Sequence, residues 1–138
     1  DEHAGRTLVV VGRKAPAERL RELGKRVEVI VAPASSGRVD LRWLVKELGR
    51  RGVTHVLIEG GGEVVGSFLD AGLAHRAVFF MAPIILGGRQ SIPAVAGSGA
   101  TSLDTTWRLR GLEWQRLGPD LMVTGLVQRS RAKRPKPM

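Results

Sequence analysis

The sequence predicts an α/β fold, with a mostly parallel, three-layer α/β/α sheet that ends in a C-terminal antiparallel hairpin. Short apolar runs alternate with amphipathic helical stretches over residues 7–81, which is typical of parallel strands joined by right-handed crossovers. A Gly-rich stretch without a clear period follows over residues 84–105 and predicts a long loop. Two alternating segments, residues 107–117 and 121–127, then flank a turn at residues 118–120 and predict the hairpin.

The first part of the chain predicts two strands and two helices. Residues 7–11 and 27–31 are apolar and rich in β-branched residues, so each predicts a strand that is buried on both faces. Pro16 suits the first turn of a helix that Gly24 ends. Residues 33–37 predict a polar loop, and Asp40 is a good N-cap for the second helix. The apolar face of that helix is formed by Leu41, Leu44, Val45 and Leu48.

Two more strands are predicted around a third helix. Residues 53–59 predict the third strand and residues 77–81 the fourth, which ends at Pro83. Three glycines, Gly60 to Gly62, lead from the third strand into the helix, and Gly72 ends it. We expect the inner side of this helix to carry Val64, Val65, Phe68 and Leu69.

Composition predicts a single globular domain over residues 1–128, followed by a basic flexible tail over residues 129–138. The chain has 138 residues, of which 43% are hydrophobic and 25% charged, as in ordinary globular proteins. Its net charge is +9, but five of the basic residues lie in the last ten positions, which leaves +4 for residues 1–128. A nucleic-acid-binding arm is the alternative interpretation of this tail, although the chain has no Tyr and only three Phe and three Trp. The five tail residues are Arg129, Arg131, Lys133, Arg134 and Lys136.

Several classes of chemistry find no support in the sequence. The chain has no Cys, which excludes disulfides, zinc–cysteine sites and thiol nucleophiles, and fits a reducing compartment. Its three His residues are scattered and predict no metal site, and Gly97-Ser98-Gly99 lacks the setting of a serine nucleophile. The longest apolar run, residues 77–86, is too short to span a bilayer, and no signal peptide is recognisable, so we expect a cytoplasmic protein. An enzyme of this composition would take its chemistry from a cofactor.

The strongest local signal is the glycine turn between the third strand and the third helix. Glycines there let the backbone approach a ligand closely, and the helix N-terminus behind them suits a pyrophosphate. The spacing is G-x-G-x-x-x-G and so is neither the Rossmann fingerprint nor a P-loop. A plain tight turn is the alternative, and Glu63 in the first helical turn would compete with a bound anion. Glu59, at the end of the strand, could accept hydrogen bonds from a substrate or could cap the helix.

Four segments in a fixed order resemble a known family. They are residues 56–62 (Val-Leu-Ile-Glu-Gly-Gly-Gly), residues 68–73 (Phe-Leu-Asp-Ala-Gly-Leu), residues 79–88 (from Phe-Phe-Met-Ala-Pro to Leu-Gly-Gly) and residues 117–121 (Leu-Gly-Pro-Asp-Leu). Together they resemble the reductase domain of riboflavin biosynthesis, which is usually the C-terminal part of a bifunctional deaminase–reductase. The resemblance implies a dihydrofolate reductase-like fold. It also implies NADPH-dependent reduction of the ribose of 5-amino-6-(5-phosphoribosylamino)uracil to the ribitylamino product.

Position by position, the resemblance implies a site as well. Glu59 corresponds to the substrate-contacting glutamate of the family. Domains of this family extend further on the N-terminal side, so we expect the chain to begin in the middle of the domain. A sheet without its first strands exposes an edge, and we therefore expect self-association, as a homodimer. The segment that corresponds to the NADPH-binding part of the family consists of Gly61, Gly62, Glu63, Val64, Val65, Gly66 and Ser67.

Two further functions remain open from the sequence. The first is an inactive nucleotide-binding or dimerisation module of the same fold, which would keep the glycine turn without turnover. The second is a nucleic-acid-binding protein that uses the basic tail.

Overall fold

The structure, a computed structural model, describes residues 3–129 and divides the chain into two compact units. The first unit is Asp1–Val56 and the second is Leu57–Met138. Most of the predicted basic tail, residues 130–138, lies outside the described residues. Arg129, which was counted with that tail, is instead the last residue of a strand.

The first unit opens with a strand–helix–strand crossover. Strand β1 (Leu8–Gly12) pairs in parallel with β2 (Glu28–Ala32), and helix α1 (Ala17–Gly24) connects them. The register runs from Leu8 opposite Glu28 to Gly12 opposite Ala32. Ala32 is completely buried, whereas β1 is only partly buried along its whole length. The two strands and the helix therefore form where the apolar runs predicted them, but both strands are less buried than expected, since β1 is only partly buried and Val31 of β2 is 49% exposed.

A small hairpin replaces the predicted polar loop after β2. Strands β3 (Ala34–Ser35) and β4 (Arg38–Val39) pair in antiparallel fashion. The two residues between them have positive φ, 50° at Ser36 and 79° at Gly37. Positive φ at both central positions fits a two-residue hairpin turn, because its twist matches the twist of the flanking strands. Ser is an unusual residue for the first of these positions, and this explains why the turn was not recognisable from the sequence.

Helix α2 (Leu41–Arg50) begins at the predicted cap. The Asp40 carboxylate accepts hydrogen bonds from the backbone N–H groups of Arg42, at 2.9 Å, and Trp43, at 3.0 Å. At the other end, the Arg51 guanidinium donates to Glu47 at 2.9 Å and to Glu28 at 2.8 Å, which links the helix to β2. The hydrogen bond from Arg51 lowers the pKa of the Glu47 carboxyl group. This ion pair therefore stabilises the unit at neutral pH, and the stabilisation is lost as the pH falls through that lowered pKa.

The second unit contains one helix and a three-stranded antiparallel sheet. Helix α3 (Gly62–Asp70) precedes strand β5 (Arg76–Met81). Strands β6 (Trp107–Leu117) and β7 (Asp120–Arg129) form the hairpin, and the strand order is β5–β7–β6. The predicted C-terminal hairpin is confirmed, and so is the long irregular segment between β5 and β6.

Two predicted strands differ from the structure. Residues 53–59 belong to no strand, although their composition is that of one, and the boundary between the two units falls at residue 56. A strand exists only through its ladder with a neighbour, and no ladder of the described residues includes this segment. Strand β5, expected to run parallel to its neighbours, pairs with β7 in antiparallel fashion, with Phe79 opposite Val123. The pattern of apolar residues predicts a strand but does not specify its partner or direction.

The buried apolar residues of the second unit lie on α3 and in the central strand of the sheet. Phe68 on the helix is 8% exposed, and Val123 in the central strand is also buried. Val65 and Leu69 are half-buried as predicted, but Val64 is 46% exposed, so its predicted place on the inner side was wrong. The buried residues of the helix are Gly62, Gly66 and Phe68.

The end of α3 is fixed by its glycine, as predicted. Gly72 has φ +66°. The N–H of Leu73 donates to the Phe68 carbonyl at 3.0 Å, and that of Gly72 to the Leu69 carbonyl at 2.8 Å. This pair of bonds satisfies the last helical carbonyls and requires a left-handed residue, for which glycine is best suited. None of the helices formed by residues 3–129 has the length and apolar character needed to cross a lipid bilayer.

Candidate functional site

The candidate site is built around the first turn of α3. Gly61 is the N-cap of this helix, with φ −65° and ψ 162°, and its carbonyl accepts from the N–H of Val64 at 2.9 Å. The first N–H groups of any helix have no partner within the helix, and the helix dipole places partial positive charge there. A helix start preceded by glycines is therefore suited to an anionic group such as a phosphate.

Gly61 itself is open to a ligand. A Cβ atom built on Gly61 would have no atom within 4 Å beyond those of Gly61 and its two neighbours in the chain. Its backbone angles are ordinary extended values that any L-residue adopts, so the conformation does not require glycine. The structure supports a different reason for glycine at this position, since the absence of a side chain leaves space for a ligand beside the backbone.

Gly62 and Gly66 lie against another part of the chain. The segment Pro93–Gly97, which we call the strap, contacts the helix at both glycines. A Cβ atom on Gly62 would overlap the carbonyl oxygen of Pro93, and one on Gly66 would overlap the carbonyl oxygen of Ala96. The N–H of Ala96 also donates to the Gly62 carbonyl at 3.0 Å. These two glycines allow close packing within the protein, a role that the sequence interpretation did not include.

The remaining residues of the predicted NADPH segment differ in exposure. Glu63 and Val64 are exposed in the first turn, and Val65 is half-buried. The Ser67 hydroxyl donates to the carbonyl of Glu63 at 2.7 Å, a bond within the helix. The structure thus brings all seven predicted residues onto one helix start, with Gly61 open, Glu63 and Val64 exposed, and Gly62 and Gly66 covered.

Glu59 lies two residues before the N-cap of α3 and is exposed. Within the described residues its carboxylate makes no hydrogen bond or ion pair, so it does not cap the helix. The alternative interpretation of Glu59 as a helix cap is therefore not supported. An exposed carboxylate beside the glycine turn can accept hydrogen bonds from a ligand held there.

A cavity of about 560 Å³ lies in the second unit between α3, the sheet and the part of the long loop that includes Val95 and Ala96. Its walls include Gly66 and Asp70 from the helix, Phe79 from β5, and Trp107 from β6. Arg129 lies over the Trp107 ring, with the guanidinium carbon 5.6 Å from the ring centre. Sequence reasoning missed this cavity, because its lining residues are scattered over more than sixty positions and share no local motif.

Within residues 3–129, no group of three or more His, Asp or Glu side chains lies close enough together to hold a metal ion. The three histidines, at positions 3, 55 and 75, are far apart in sequence.

Comparison with solved structures shows the class of fold. A pyrimidine reductase-like protein from Corynebacterium diphtheriae superposes with a TM-score of 0.69 and 28% identity, over 88% of this chain and 50% of that one. The riboflavin biosynthesis reductase Rib7 of Saccharomyces cerevisiae superposes with a TM-score of 0.64 and 17% identity, over 88% of this chain and 56% of that one. These likenesses confirm the predicted α/β, dihydrofolate reductase-like class.

The chain belongs to the RibD C-terminal domain family, whose model matches residues 1–123. This confirms the family resemblance that the four sequence segments indicated.

Curated relatives cover most of this chain. A 2,5-diamino-6-ribosylamino-4(3H)-pyrimidinone 5′-phosphate reductase from Methanothermobacter thermautotrophicus is 38% identical over 122 residues, 88% of this chain and 56% of that protein. A protein of the same name from Archaeoglobus fulgidus is 36% identical over 124 residues, 90% of this chain and 53% of that protein. The riboflavin biosynthesis protein RibD of Mycobacterium tuberculosis is 37% identical over 116 residues, 84% of this chain and 32% of that protein. The chain thus spans about half the length of the two archaeal reductases.

Proposed function

We propose that this chain carries part of an NADPH-dependent reductase of riboflavin biosynthesis, which reduces the ribose of a ribosylaminopyrimidine 5′-phosphate to the ribityl group. The observation that carries the proposal is the open glycine N-cap at Gly61, at the start of α3 in the segment that corresponds to the NADPH-binding part of the family. The names of the archaeal relatives support the reaction class.

The residues of the chain fit the polar parts of such a cofactor. The first-turn amides of α3 can donate hydrogen bonds to a pyrophosphate, and the missing side chain at Gly61 leaves room for it. Glu59 can accept hydrogen bonds from the pyrimidine or its amino group. When bound, NADPH supplies the hydride, so these groups act by alignment and electrostatics and form no covalent bond with the substrate.

Two closely related pyrimidines are candidate substrates. The sequence resemblance favours 5-amino-6-(5-phosphoribosylamino)uracil, whereas the archaeal relatives are named for the 2,5-diamino-pyrimidinone phosphate. The two compounds differ by one amino group on the ring, which is a hydrogen-bond donor where the uracil has a carbonyl acceptor. A carboxylate such as that of Glu59 can distinguish a donor from an acceptor.

The proposal is tested by following NADPH absorbance at 340 nm with the full chain and each of the two substrates. We expect turnover with at least one substrate, and Glu59→Gln is expected to raise KM for the pyrimidine while leaving KM for NADPH unchanged. Turnover without any effect of Glu59→Gln would refute the role of Glu59. NADPH binding without turnover of either substrate would favour the inactive nucleotide-binding module instead.

We also propose that the chain associates with a second copy of itself through the sheet of the second unit. Val78 and Phe80 are two residues apart in β5, and Leu126 of β7 lies opposite Arg76, so the three side chains lie on the same face of the sheet. All three are exposed, Phe80 at 66%. Removal of such an apolar face from water favours association.

Light scattering tests this association. We expect a dimer for the wild type and a monomer for Phe80→Glu, because a buried charge without a partner opposes the interface. Leu103→Glu, at a residue that is 81% exposed and lies outside the sheet, is the control and should remain dimeric. A wild-type protein that is a monodisperse monomer would refute the proposal.

A further inference from the structure

We infer that the strap, Pro93–Gly97, positions helix α3 for the cofactor. Gly62 and Gly66 are the residues of the helix against which the strap packs. The inference rests on the proposed function, since it concerns how the first turn of α3 is held for NADPH. It divides the predicted NADPH segment into residues that face the cofactor and residues that hold the helix.

The strap follows one side of α3 over most of its length. It contacts the helix at Gly62 and Gly66, and at its end the Cα face of Gly97 lies against Asp70, whose Oδ2 would be 3.3 Å from a Cβ atom on Gly97. Positions 62, 66 and 70 are each four residues apart and therefore lie on the same face of a helix. Eight residues of helix rise about 12 Å, so the contact extends far beyond a single point.

One hydrogen bond ties the strap to the first turn itself. The Ala96 N–H donates to the carbonyl of Gly62, the residue directly after the N-cap. A shift of the strap would therefore shift the backbone beside Gly61. The glycines make this bond possible, because a methyl group at either position would occupy the volume of the strap backbone.

Gly61 thus differs from Gly62 and Gly66 in what lies beside its Cα atom. Gly61 has no atom within 4 Å of a Cβ position, whereas the same position on Gly62 and Gly66 is filled by Pro93 and Ala96. A cofactor at the helix start can use the open side of Gly61 and the first-turn amides without displacing the strap. Gly62 and Gly66 are then positioning residues, which act on the cofactor through the geometry of the turn.

The inference is tested with Gly66→Ala and with Gly61→Ala as the matched control. Hydrogen exchange of the Ala96 amide reports the strap directly, and NADPH binding is measured by fluorescence titration of the full chain. We expect Gly66→Ala to accelerate exchange at Ala96 by at least about tenfold and to raise the Kd for NADPH, whereas kcat at saturating NADPH is retained. Gly61→Ala should leave exchange at Ala96 unchanged, because its methyl group meets no part of the strap.

A second variant keeps the helix sequence intact. Ala96→Pro removes the N–H that donates to Gly62 and is expected to raise the Kd for NADPH in the same way as Gly66→Ala. If either variant frees the strap and still binds NADPH as tightly as the wild type, the inference is wrong and the proposed function stands. If the wild type binds no NADPH, the proposed function fails and the positioning role fails with it. Hydrogen exchange of the Ala96 amide then still measures whether the strap packs against the two glycines.

Discussion

Replacement of Gly61 by valine is expected to weaken NADPH binding by about tenfold or more, and to leave the free energy of unfolding almost unchanged. The valine side chain would enter the open space beside the N-cap, where we place the pyrophosphate, and its Cβ atom would meet no atom within 4 Å beyond the neighbouring residues of the chain. A tenfold loss corresponds to about 1.4 kcal/mol of binding free energy. Isothermal titration with NADPH measures the first effect and thermal unfolding the second.

Gly49→Ala is the control for this experiment. Gly49 lies within α2, and a Cβ atom there also meets nothing within 4 Å. Alanine stabilises an exposed helix position by about 1 kcal/mol relative to glycine, so this variant should raise the melting temperature and bind NADPH normally. Wild-type affinity in Gly61→Val would show that the cofactor does not lie at the start of α3.

Truncation of Phe68 to alanine is expected to lower the free energy of unfolding by about 3 kcal/mol or more. Phe68 is the large apolar side chain that α3 buries, and its loss removes apolar contact and leaves a cavity. Denaturant unfolding of the full chain measures the change.

Leu103→Ala provides the comparison for Phe68. Leu103 is a large apolar residue of the same unit, but it is 81% exposed and has little apolar contact to lose. We expect its unfolding free energy to stay within about 0.5 kcal/mol of the wild type. Equal losses for the two variants would show that Phe68 is not buried as the structure has it.

Local chemistry explains which parts of the fold were predictable from the sequence. Asp40 caps α2 and Gly72 ends α3, because both roles depend on the residue and its immediate neighbours. The partner of a strand does not depend on local sequence. The apolar run at residues 53–59 therefore predicted a strand that has no ladder, and β5 was given the wrong direction.

In the candidate site, too, the features that depend on neighbouring residues were predictable and those that depend on distant residues were not. The glycine turn and Glu59 could be located because a strand-like run, glycines and a helix start are adjacent in sequence. The strap could not be located, since Ala96 and Gly62 are 34 residues apart. One signal was available, because Gly62 and Gly66 share a helix face, and small residues four apart on one face favour close approach of another backbone.

The contact between the strap and Gly62 joins two parts of the chain that are far apart in sequence. The contact from Ala96 to Gly62 closes a loop that includes β5 and the irregular residues 82–92. The entropy of closing a flexible loop depends only weakly on its length, and doubling the length costs about 0.6 kcal/mol. Insertions before Pro93 should therefore leave the helix start in place, whereas a single added methyl group at Gly66 should not.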